Sequence, residues 1–170
     1  ENVSKNWATA YDFPALNDGK VIKKTLPDGG IATGQAFVMN LRRPKFSDPK
    51  VREAIGLLYN FEWSNESLFF GQYARVNSFW ENSELAAEGK PSEGELALLK
   101  PLAGDLPAGI LDDEAVTASV SGLRALDRKN LRVASKLLDE AGWLVGDDGL
   151  RRNSNGDLFS LEIIERSPAF

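Results

Sequence analysis

Residues 35–58 constrain the fold most, because they predict a buried strand, a turn and a helix in immediate succession. Residues 36–41 are apolar or aromatic except for Asn40, a composition that favours a strand buried on both faces. Asp48 suits the N-cap of the following helix, and Pro49 suits its first position, where a missing N–H costs nothing. The apolar face of this helix consists of Val51, Ala54, Ile55 and Leu58. A helix with one apolar side therefore follows a core strand closely.

A second, longer helix is predicted near the end of the chain. Asp127 is a good N-cap, and apolar residues then recur at helical spacing. Gly142 ends the helix, and Trp143 is expected to pack back onto it as in a Schellman-type cap. The turns predicted at residues 147–149 and 153–156 are most simply explained by a β-hairpin.

Shorter helices and strands are predicted elsewhere. Ser92 and Glu95 form a capping box that opens one short helix, and another is predicted at residues 64–71. Strands are predicted at residues 21–26 and at residues 158–165, the second with one buried face because apolar and polar residues alternate there.

These elements predict an α/β or α+β fold with a mixed sheet and flanking helices. Residues 2–16 lack a clean period and are expected to form a loop or an extended arm, and residues 102–124 a long surface excursion. Residues 1–170 are expected to form a single partial domain. The chain lacks an initiating Met and ends in a helix opening at Ser167 and Pro168, so it is expected to be truncated at both ends.

The composition excludes several classes of function. The chain has no histidine and no cysteine, which removes the commonest general base near neutral pH, thiol nucleophiles, thiolate metal sites and disulfides. A net charge of −5 argues against nucleic acid or an anionic membrane as the main partner. The sequence has no apolar run of about 18 residues, so no direct insertion into a membrane is predicted.

Three local patterns resemble ion or phosphate sites but lack the residues that such sites need. Gly29 and Gly30 are not followed by a phosphate-binding motif, and the acidic residues 112–114 have no second cluster at ligand spacing. A calcium-loop register that starts at Arg151 would place a cation where the loop needs a carboxylate. No catalytic residue, metal site or cofactor is therefore predicted.

Residues 72–80, which we call the aromatic loop, form the main candidate for a binding site. They combine aromatic and polar side chains without helical or strand period, and such loops are common at binding sites. Tyr73, Phe79 and Trp80 are candidate ligand contacts, and Arg75 is a candidate partner for a ligand carboxylate. The alternative that the aromatic residues fill the underside of the domain stays open.

The motifs resemble those of one known family in order and spacing. They are Phe-Val-Met-Asn at residues 37–40, Pro-Lys-Phe at 44–46, Val-Arg-Glu-Ala-Ile at 51–55 and Leu-Leu-Asp-Glu-Ala-Gly-Trp at 137–143. The chain resembles, over nearly its whole length, the family 5 extracellular solute-binding receptors of ABC importers, which include dipeptide, oligopeptide and nickel receptors.

The resemblance is closer to the YejA-like branch of this family, which is associated with oligopeptides and the peptide-nucleotide antibiotic microcin C. Four runs carry it, at residues 6–14, 40–44, 69–73 and 82–86. Residues 61–63, Phe-Glu-Trp, differ from the Ile-Asp-Arg-like sequence of the wider family. This departure favours the YejA-like branch over a dipeptide receptor.

The resemblance implies part of a type II periplasmic-binding-protein lobe without catalytic activity. The complete receptor would have two lobes that close on oligopeptides or peptide-like solutes in the periplasm and deliver them to an ABC permease in the inner membrane. This chain would be the first part of the second lobe, and the acidic residue that pairs with the amino end of a peptide would lie beyond Phe170. The expected ligand contacts in this chain are Tyr73, Arg75, Phe79 and Trp80.

Two other functions stay open. The aromatic loop could instead dock a protein partner, which would make the chain an interaction module. A carboxylate-dependent glycoside hydrolase would need two acids that face each other across a cleft, and no pair of acids in the sequence stands out for this role.

Overall fold

The computed structural model describes residues 3–32 and 34–165 of the 170-residue chain. The helices and strands of this part are α1 (Ser4–Thr9), α2 (Pro14–Asn17), α3 (Pro49–Leu58), α4 (Phe61–Leu68), α5 (Glu93–Leu99), α6 (Arg128–Glu140), β1 (Leu144–Val145) and β2 (Arg151–Arg152). Short 3₁₀ helices, Pro44–Phe46 and Lys100–Leu102, precede α3 and follow α5. Among the described helices, none combines the length and the apolar character that spanning a membrane requires. The combination of helices with a small sheet is consistent with the predicted α/β class.

The contacts between residues divide the chain into two compact units. One lies within Glu1–Phe37 and Phe61–Ser119, and we call it the loop unit. The other lies within Val38–Asn60 and Val120–Phe170, and we call it the helix-pair unit. Each unit is therefore assembled from two separate stretches of sequence.

The helix-pair unit is built on the packing of α3 against α6. Both helices begin where the sequence predicts. The Asp48 carboxylate accepts a hydrogen bond of 2.8 Å from the Lys50 N–H, and the Asp127 carboxylate accepts one of 3.0 Å from the Asn130 N–H. These bonds satisfy helix N–H groups that have no partner within the helix. The buried core consists of Phe46, Val51, Ala54, Ala134, Leu138 and Trp143.

The chain after α6 forms the predicted β-hairpin. Strands β1 and β2 pair antiparallel, with Val145 opposite Arg151. Gly149 has a φ of 77° in the turn between them, a conformation that glycine adopts without steric cost. In the next predicted turn, the Asn153 side-chain oxygen accepts hydrogen bonds from the N–H groups of Asn155 and Asp157 at 3.0 and 2.9 Å. Both turns are therefore confirmed.

Arg151 ties this hairpin to α6. Its guanidinium lies 2.6 Å from the Asp139 carboxylate and 2.6 Å from the Ser135 hydroxyl, and it also donates to the Trp143 carbonyl. The Arg151 side chain is only 15% exposed. Because Trp143 also packs edge-on against Phe159, at 5.0 Å between ring centroids, the hairpin region is joined to the core.

Three strands predicted from the sequence are not present as strands in the described residues. These predictions covered residues 21–26, 36–41 and 158–165, and only an isolated bridge between Leu158 and Arg152 is found there. Val38 is 92% exposed, against the expectation of a strand buried on both faces. Apolar composition shows that a segment is suited to a sheet, but a strand also needs a neighbouring backbone to pair with.

The expectation of a loop or extended arm at residues 2–16 is wrong for the described part of that segment. It contains α1 and the start of α2, with Pro14 at the first position of α2. These helices have only six and four residues. Helices this short show too little of the 3.6-residue period to be recognised by periodicity.

Helices α4 and α5 of the loop unit agree better with prediction. Helix α4 starts at Phe61, earlier than the predicted range of 64–71, and the chain reverses after it at Gly71 with a φ of 68°. The predicted capping box of α5 is formed. The Glu95 N–H donates to the Ser92 hydroxyl at 3.3 Å, and the Ser92 N–H donates to the Glu95 carboxylate at 2.7 Å.

Candidate functional site

The loop unit contains an open pocket of about 290 Å³. Of the four predicted ligand contacts, only Tyr73 lines it, and we call it the Trp7–Tyr73 pocket. Its lining consists of Val3, Ser4, Trp7, Lys24, Thr25, Gln72 and Tyr73.

Trp7 forms one aromatic wall of the pocket. It lies one helical turn after Ser4 on α1, so the two residues share a face of that helix. The Lys23 ammonium lies 4.5 Å from the centroid of the Trp7 ring and donates to the Trp7 carbonyl. The Tyr11 ring lies 5.7 Å away from the same indole. Cation–π and aromatic contacts therefore hold Trp7 in place.

Tyr73 forms a second aromatic wall and is held through its backbone. The Asn65 side-chain oxygen accepts a hydrogen bond of 3.0 Å from the Tyr73 N–H, and the Asn65 amide donates one of 2.8 Å to the Tyr73 carbonyl. The Phe69 ring packs edge-on against the Tyr73 ring at 5.1 Å. Tyr73 is still 50% exposed. Helix α4, which carries Asn65, therefore sets the position of a side chain that remains available for contact.

The pocket is rich in hydrogen-bond donors. Within the described residues, the Lys24 ammonium, the Trp7 indole N–H and the Tyr73 hydroxyl have no hydrogen-bond or ion-pair partner. No Asp or Glu is found among the described residues that line the pocket. The pair of facing carboxylates that glycoside hydrolysis needs is thus not formed there.

Arg75 does not line this pocket. Its guanidinium lies 5.1 Å from the centroid of the Phe61 ring, and it donates to the Ser119 carbonyl at 3.5 Å. The half-buried side chain therefore contacts other parts of the loop unit. Its role as a carboxylate partner stays a prediction.

Phe79 and Trp80 lie in a turn that is held by polar side chains. The Glu81 carboxylate accepts hydrogen bonds of 2.9 and 3.2 Å from the N–H groups of Asn77 and Ser78. Phe79 is 98% exposed and Trp80 is 50% exposed. Neither residue fills a core within the described residues. As ligand contacts, both stay predictions.

Asn82 anchors the same turn to a distant loop. Its amide donates hydrogen bonds of 2.9 and 2.7 Å to the carbonyls of Asp28 and Gly30. Its φ is 65°, a conformation that asparagine tolerates better than most residues. The Ala32 N–H also donates to the Glu81 carbonyl at 2.9 Å. The turn that presents Phe79 is thus fixed through both the Asn82 side chain and the Glu81 backbone.

A second open pocket, of about 650 Å³, lies in the helix-pair unit and is partly lined by basic residues. These residues already have partners. Arg43 lies 3.5 Å from the Glu162 carboxylate, and Lys45 donates to a backbone carbonyl. The Asn40 side-chain oxygen accepts hydrogen bonds from the N–H and the side chain of Arg42 at 3.2 and 3.3 Å. Arg42 and Arg43 are thus exposed side chains with partners in this unit, and the Asn40 side chain satisfies a backbone N–H group.

The groups with shifted pKa values belong to helix ends and ion pairs, and none of them lines either pocket. A hydrogen bond to Glu140 raises the pKa of Lys50, and the N–H of Asn130 holds the pKa of Asp127 below its usual range. Within residues 3–32 and 34–165, no group of three or more His, Cys, Asp or Glu could hold a metal ion. The ionisable groups with shifted pKa therefore serve helix ends and ion pairs.

Sequence reasoning named Tyr73 as a candidate but not the residues that surround it in the pocket. Trp7 and Lys24 are distant from Tyr73 in sequence, and Lys24 belongs to no recognisable motif. The one available signal was the run at residues 6–14, which contains Trp7 and carries part of the family resemblance.

Comparison with known proteins gives the family. A family model described as bacterial extracellular solute-binding proteins, family 5 middle, matches residues 3–169. A Brucella melitensis protein, whose name describes it as a binding protein, is 42% identical over 163 residues, which cover 95% of this chain and 26% of that protein. The YejA protein of Agrobacterium fabrum, named as a probable peptide-binding protein, is 39% identical over 166 residues, which cover 96% of this chain and 27% of that protein.

A third relative carries a different binding description. The peptidoglycan-binding protein YepA of Agrobacterium fabrum is 36% identical over 168 residues, which cover 98% of this chain and 27% of that protein. The chain thus spans about a quarter of the length of the curated relatives it matches. Relatives named YejA confirm the branch predicted from the sequence. The chain belongs to family 5 of the bacterial extracellular solute-binding proteins.

Proposed function

We propose that this chain is part of the substrate-binding component of an ABC importer. The component captures oligopeptides or peptide-like solutes in the periplasm and delivers them to a membrane permease, without catalysis. The observation that carries this proposal is the Trp7–Tyr73 pocket, which has two fixed aromatic walls and unpartnered donors within the described residues of a family 5 chain.

The chemistry of the pocket suits a peptide whose sequence varies. Aromatic faces contact many side chains or a backbone without selecting one sequence, and donors can bind peptide carbonyl or carboxylate oxygens. The name of the YejA relative supports a peptide ligand. The name of the YepA relative supports peptidoglycan fragments, which are peptides joined to sugars, as one class of peptide-like solute.

We further propose that the chain is a single partial domain that forms the first part of the second lobe of a two-lobed receptor. Closure of two lobes buries more of the ligand than one lobe can. The isolated chain is therefore expected to bind weakly, and the tests below use the complete protein that carries it.

Peptide capture can be tested with a mixed pool of synthetic peptides. The complete protein is incubated with the pool and washed, and retained peptides are identified by native mass spectrometry. Tyr73→Ala is expected to weaken retention by about fivefold or more, because buried aromatic contacts dominate many interfaces. Tyr59→Ala, which removes another partly exposed tyrosine outside the pocket, is the matched control.

The same experiment tests the other predicted contacts. Loss of retention in the double variant Phe79→Ala, Trp80→Ala would extend the site to the turn at these residues. Retention by Tyr73→Ala equal to that of the unchanged protein would reject the Trp7–Tyr73 pocket as part of the site. If the folded protein retains no peptide at all, the assignment of oligopeptides as its ligand is wrong.

An interaction module is the second candidate function, and the 98% exposure of Phe79 favours it. A partner protein that docks on the aromatic loop would cover this ring. Binding of a partner that is lost in Phe79→Ala, together with no retention of peptides, would support this candidate over the receptor.

A further inference from the structure

We infer that the Trp7–Tyr73 pocket binds a carboxylate group of the ligand, with Lys24 as its charged partner. This inference rests on the proposed receptor function and deepens it, because it assigns one chemical group of the ligand to one part of the chain. It also moves the role of carboxylate partner from Arg75 to Lys24.

The first argument is the charge of the lining. Of the described residues that line the pocket, Lys24 alone has a charged side chain, and none is Asp or Glu. Lys23 adds a second positive charge beside the Trp7 ring, at 4.5 Å from its centroid. The chain as a whole has a net charge of −5, so the charge of this region is opposite in sign to that of the whole chain. An anionic group is therefore attracted to this pocket more than to most of the surface.

The second argument is the excess of donors. An ammonium group and an indole N–H can only donate hydrogen bonds, and the hydroxyl groups of Ser4, Thr25 and Tyr73 can donate as well. Within the described residues, the side chains of Lys24 and Trp7 have no hydrogen-bond acceptor. A carboxylate only accepts hydrogen bonds and has two oxygens that can each accept more than one. It therefore complements this set of donors better than an amine or a neutral amide.

The basic pocket of the helix-pair unit is a weaker candidate for the same role. Arg43 is paired with Glu162, and Arg42 and Lys45 donate to oxygen atoms of the protein. A ligand carboxylate would have to displace these partners. Lys24 has no such partner within the described residues.

The test compares peptides as free acids with the same peptides amidated at the C-terminus. The complete protein is titrated with both forms by calorimetry. We expect the free acid to bind about threefold more tightly, since a carboxylate gains a charge-assisted hydrogen bond from Lys24 but this side chain is exposed, and exposed ion pairs contribute little. Lys24→Met should reduce this preference to about one, and Lys24→Arg should retain most of it.

Lys90→Met is the matched control, because it removes the same charge from the same unit at an exposed residue outside the pocket. Its preference for the free acid should equal that of the unchanged protein. Salt should weaken binding of the acid more than binding of the amide, because salt screens the charge on Lys24.

The possible failures are distinguishable. If the folded protein binds neither form, the proposed function fails, and the carboxylate site fails with it. If both forms bind equally well, or if Lys24→Met keeps the preference for the acid, the receptor function stands and the carboxylate site is wrong. If an amidated peptide that carries an acidic side chain regains the affinity, the pocket takes a carboxylate that is not the terminal one.

Discussion

The two units differ in how much apolar surface they bury. All buried apolar side chains among the described residues lie in the helix-pair unit, around α3 and α6, and the described part of the loop unit has no buried apolar side chain. The loop unit is instead held by asparagine side chains that bind distant backbone groups. Asn65 binds Tyr73, Asn77 binds Ala118 and Asn82 binds Asp28 and Gly30. We call these three residues the asparagine clamps.

One chain can thus hold its two units in different ways, one by burying apolar side chains and the other by side-chain hydrogen bonds. Apolar burial contributes about 25 cal/mol per Å² and tolerates small shifts, because it has no direction. A hydrogen bond contributes only about 1 kcal/mol, but it fixes two groups at a defined distance. The residues of the candidate site lie where position is set by clamps, and the greatest stability is expected where apolar area is buried.

The largest expected effect comes from the core of the helix-pair unit. Leu138 is 5% exposed, and Leu138→Ala should lower the free energy of unfolding by about 2–5 kcal/mol, because it leaves a cavity beside α3. Leu131→Ala, on the same helix but at 36% exposure, should cost less than about 1 kcal/mol. Urea denaturation of the complete protein measures both. Equal losses would mean that the core between α3 and α6 is not what stabilises this unit.

The next effect tests the clamp with two backbone partners. Asn82→Ala removes two hydrogen bonds and places alanine at a φ of 65°, so it should destabilise the turn by about 2 kcal/mol. Asn82→Gly loses the same bonds but relieves the backbone, and it should cost about 1 kcal/mol less. Amide hydrogen exchange at Asn77 and Ser78 reports this local opening. Identical exchange in the two variants would show that the conformation at Asn82 is not strained.

A smaller effect is expected at Asn65. Asn65→Ala should cost about 1 kcal/mol and speed hydrogen exchange at the Tyr73 N–H, because that group loses its acceptor. Asn155→Ala, an exposed turn residue of the helix-pair unit, should change stability by less than about 0.5 kcal/mol. If Tyr73 stays protected in Asn65→Ala, contacts of its ring with Phe69 hold the loop instead.

The smallest effect is the dependence of the helix-pair unit on pH. N–H groups of Asn130 and Gly122 lower the pKa of Asp127, and a hydrogen bond from Lys50 lowers the pKa of Glu140. A carboxyl group with a lowered folded pKa stabilises the fold above its unfolded pKa, and this contribution is lost as pH falls through the folded value. The unit should therefore lose stability as pH drops below the ordinary range of Asp and Glu.

Asp127→Asn should make the free energy of unfolding fall less steeply as pH decreases, since the variant has no carboxyl group to protonate at this position. Unfolding curves recorded across the acid range measure the slope, with Asp147→Asn as a control that makes the same charge change in the hairpin turn. A slope that stays unchanged in Asp127→Asn would show that other carboxylates govern the acid response.

The parts of the fold that sequence predicts are those determined by local pattern. Asp48 and Asp127 cap α3 and α6, and Ser92 with Glu95 caps α5, because a cap and its partners lie within a few residues. The asparagine clamps join residues that are far apart, as in the bond from Asn82 to Asp28. No local pattern distinguishes such an asparagine from one in a solvated turn.

The same limit explains the wrong strand predictions and why Lys24 was absent from the predicted contacts. Residues 36–41 have the composition of a strand, but composition does not show whether a partner strand lies beside them. Tyr73 was named as a candidate because the aromatic loop is unusual in composition. Lys24 was not found, because its place beside Trp7 and Tyr73 depends on how α1 and α4 are arranged within the loop unit.

The bonds of Asn82 make part of the loop unit sensitive to slow chemical ageing. Its amide group works as a donor to two carbonyl oxygens. Spontaneous hydrolysis of that amide would leave a carboxylate, which cannot donate and would be repelled by the same two oxygens. The bonds from this turn to the carbonyls of Asp28 and Gly30 thus depend on a single nitrogen atom, and they are lost when that amide is hydrolysed even when the core between α3 and α6 is unchanged.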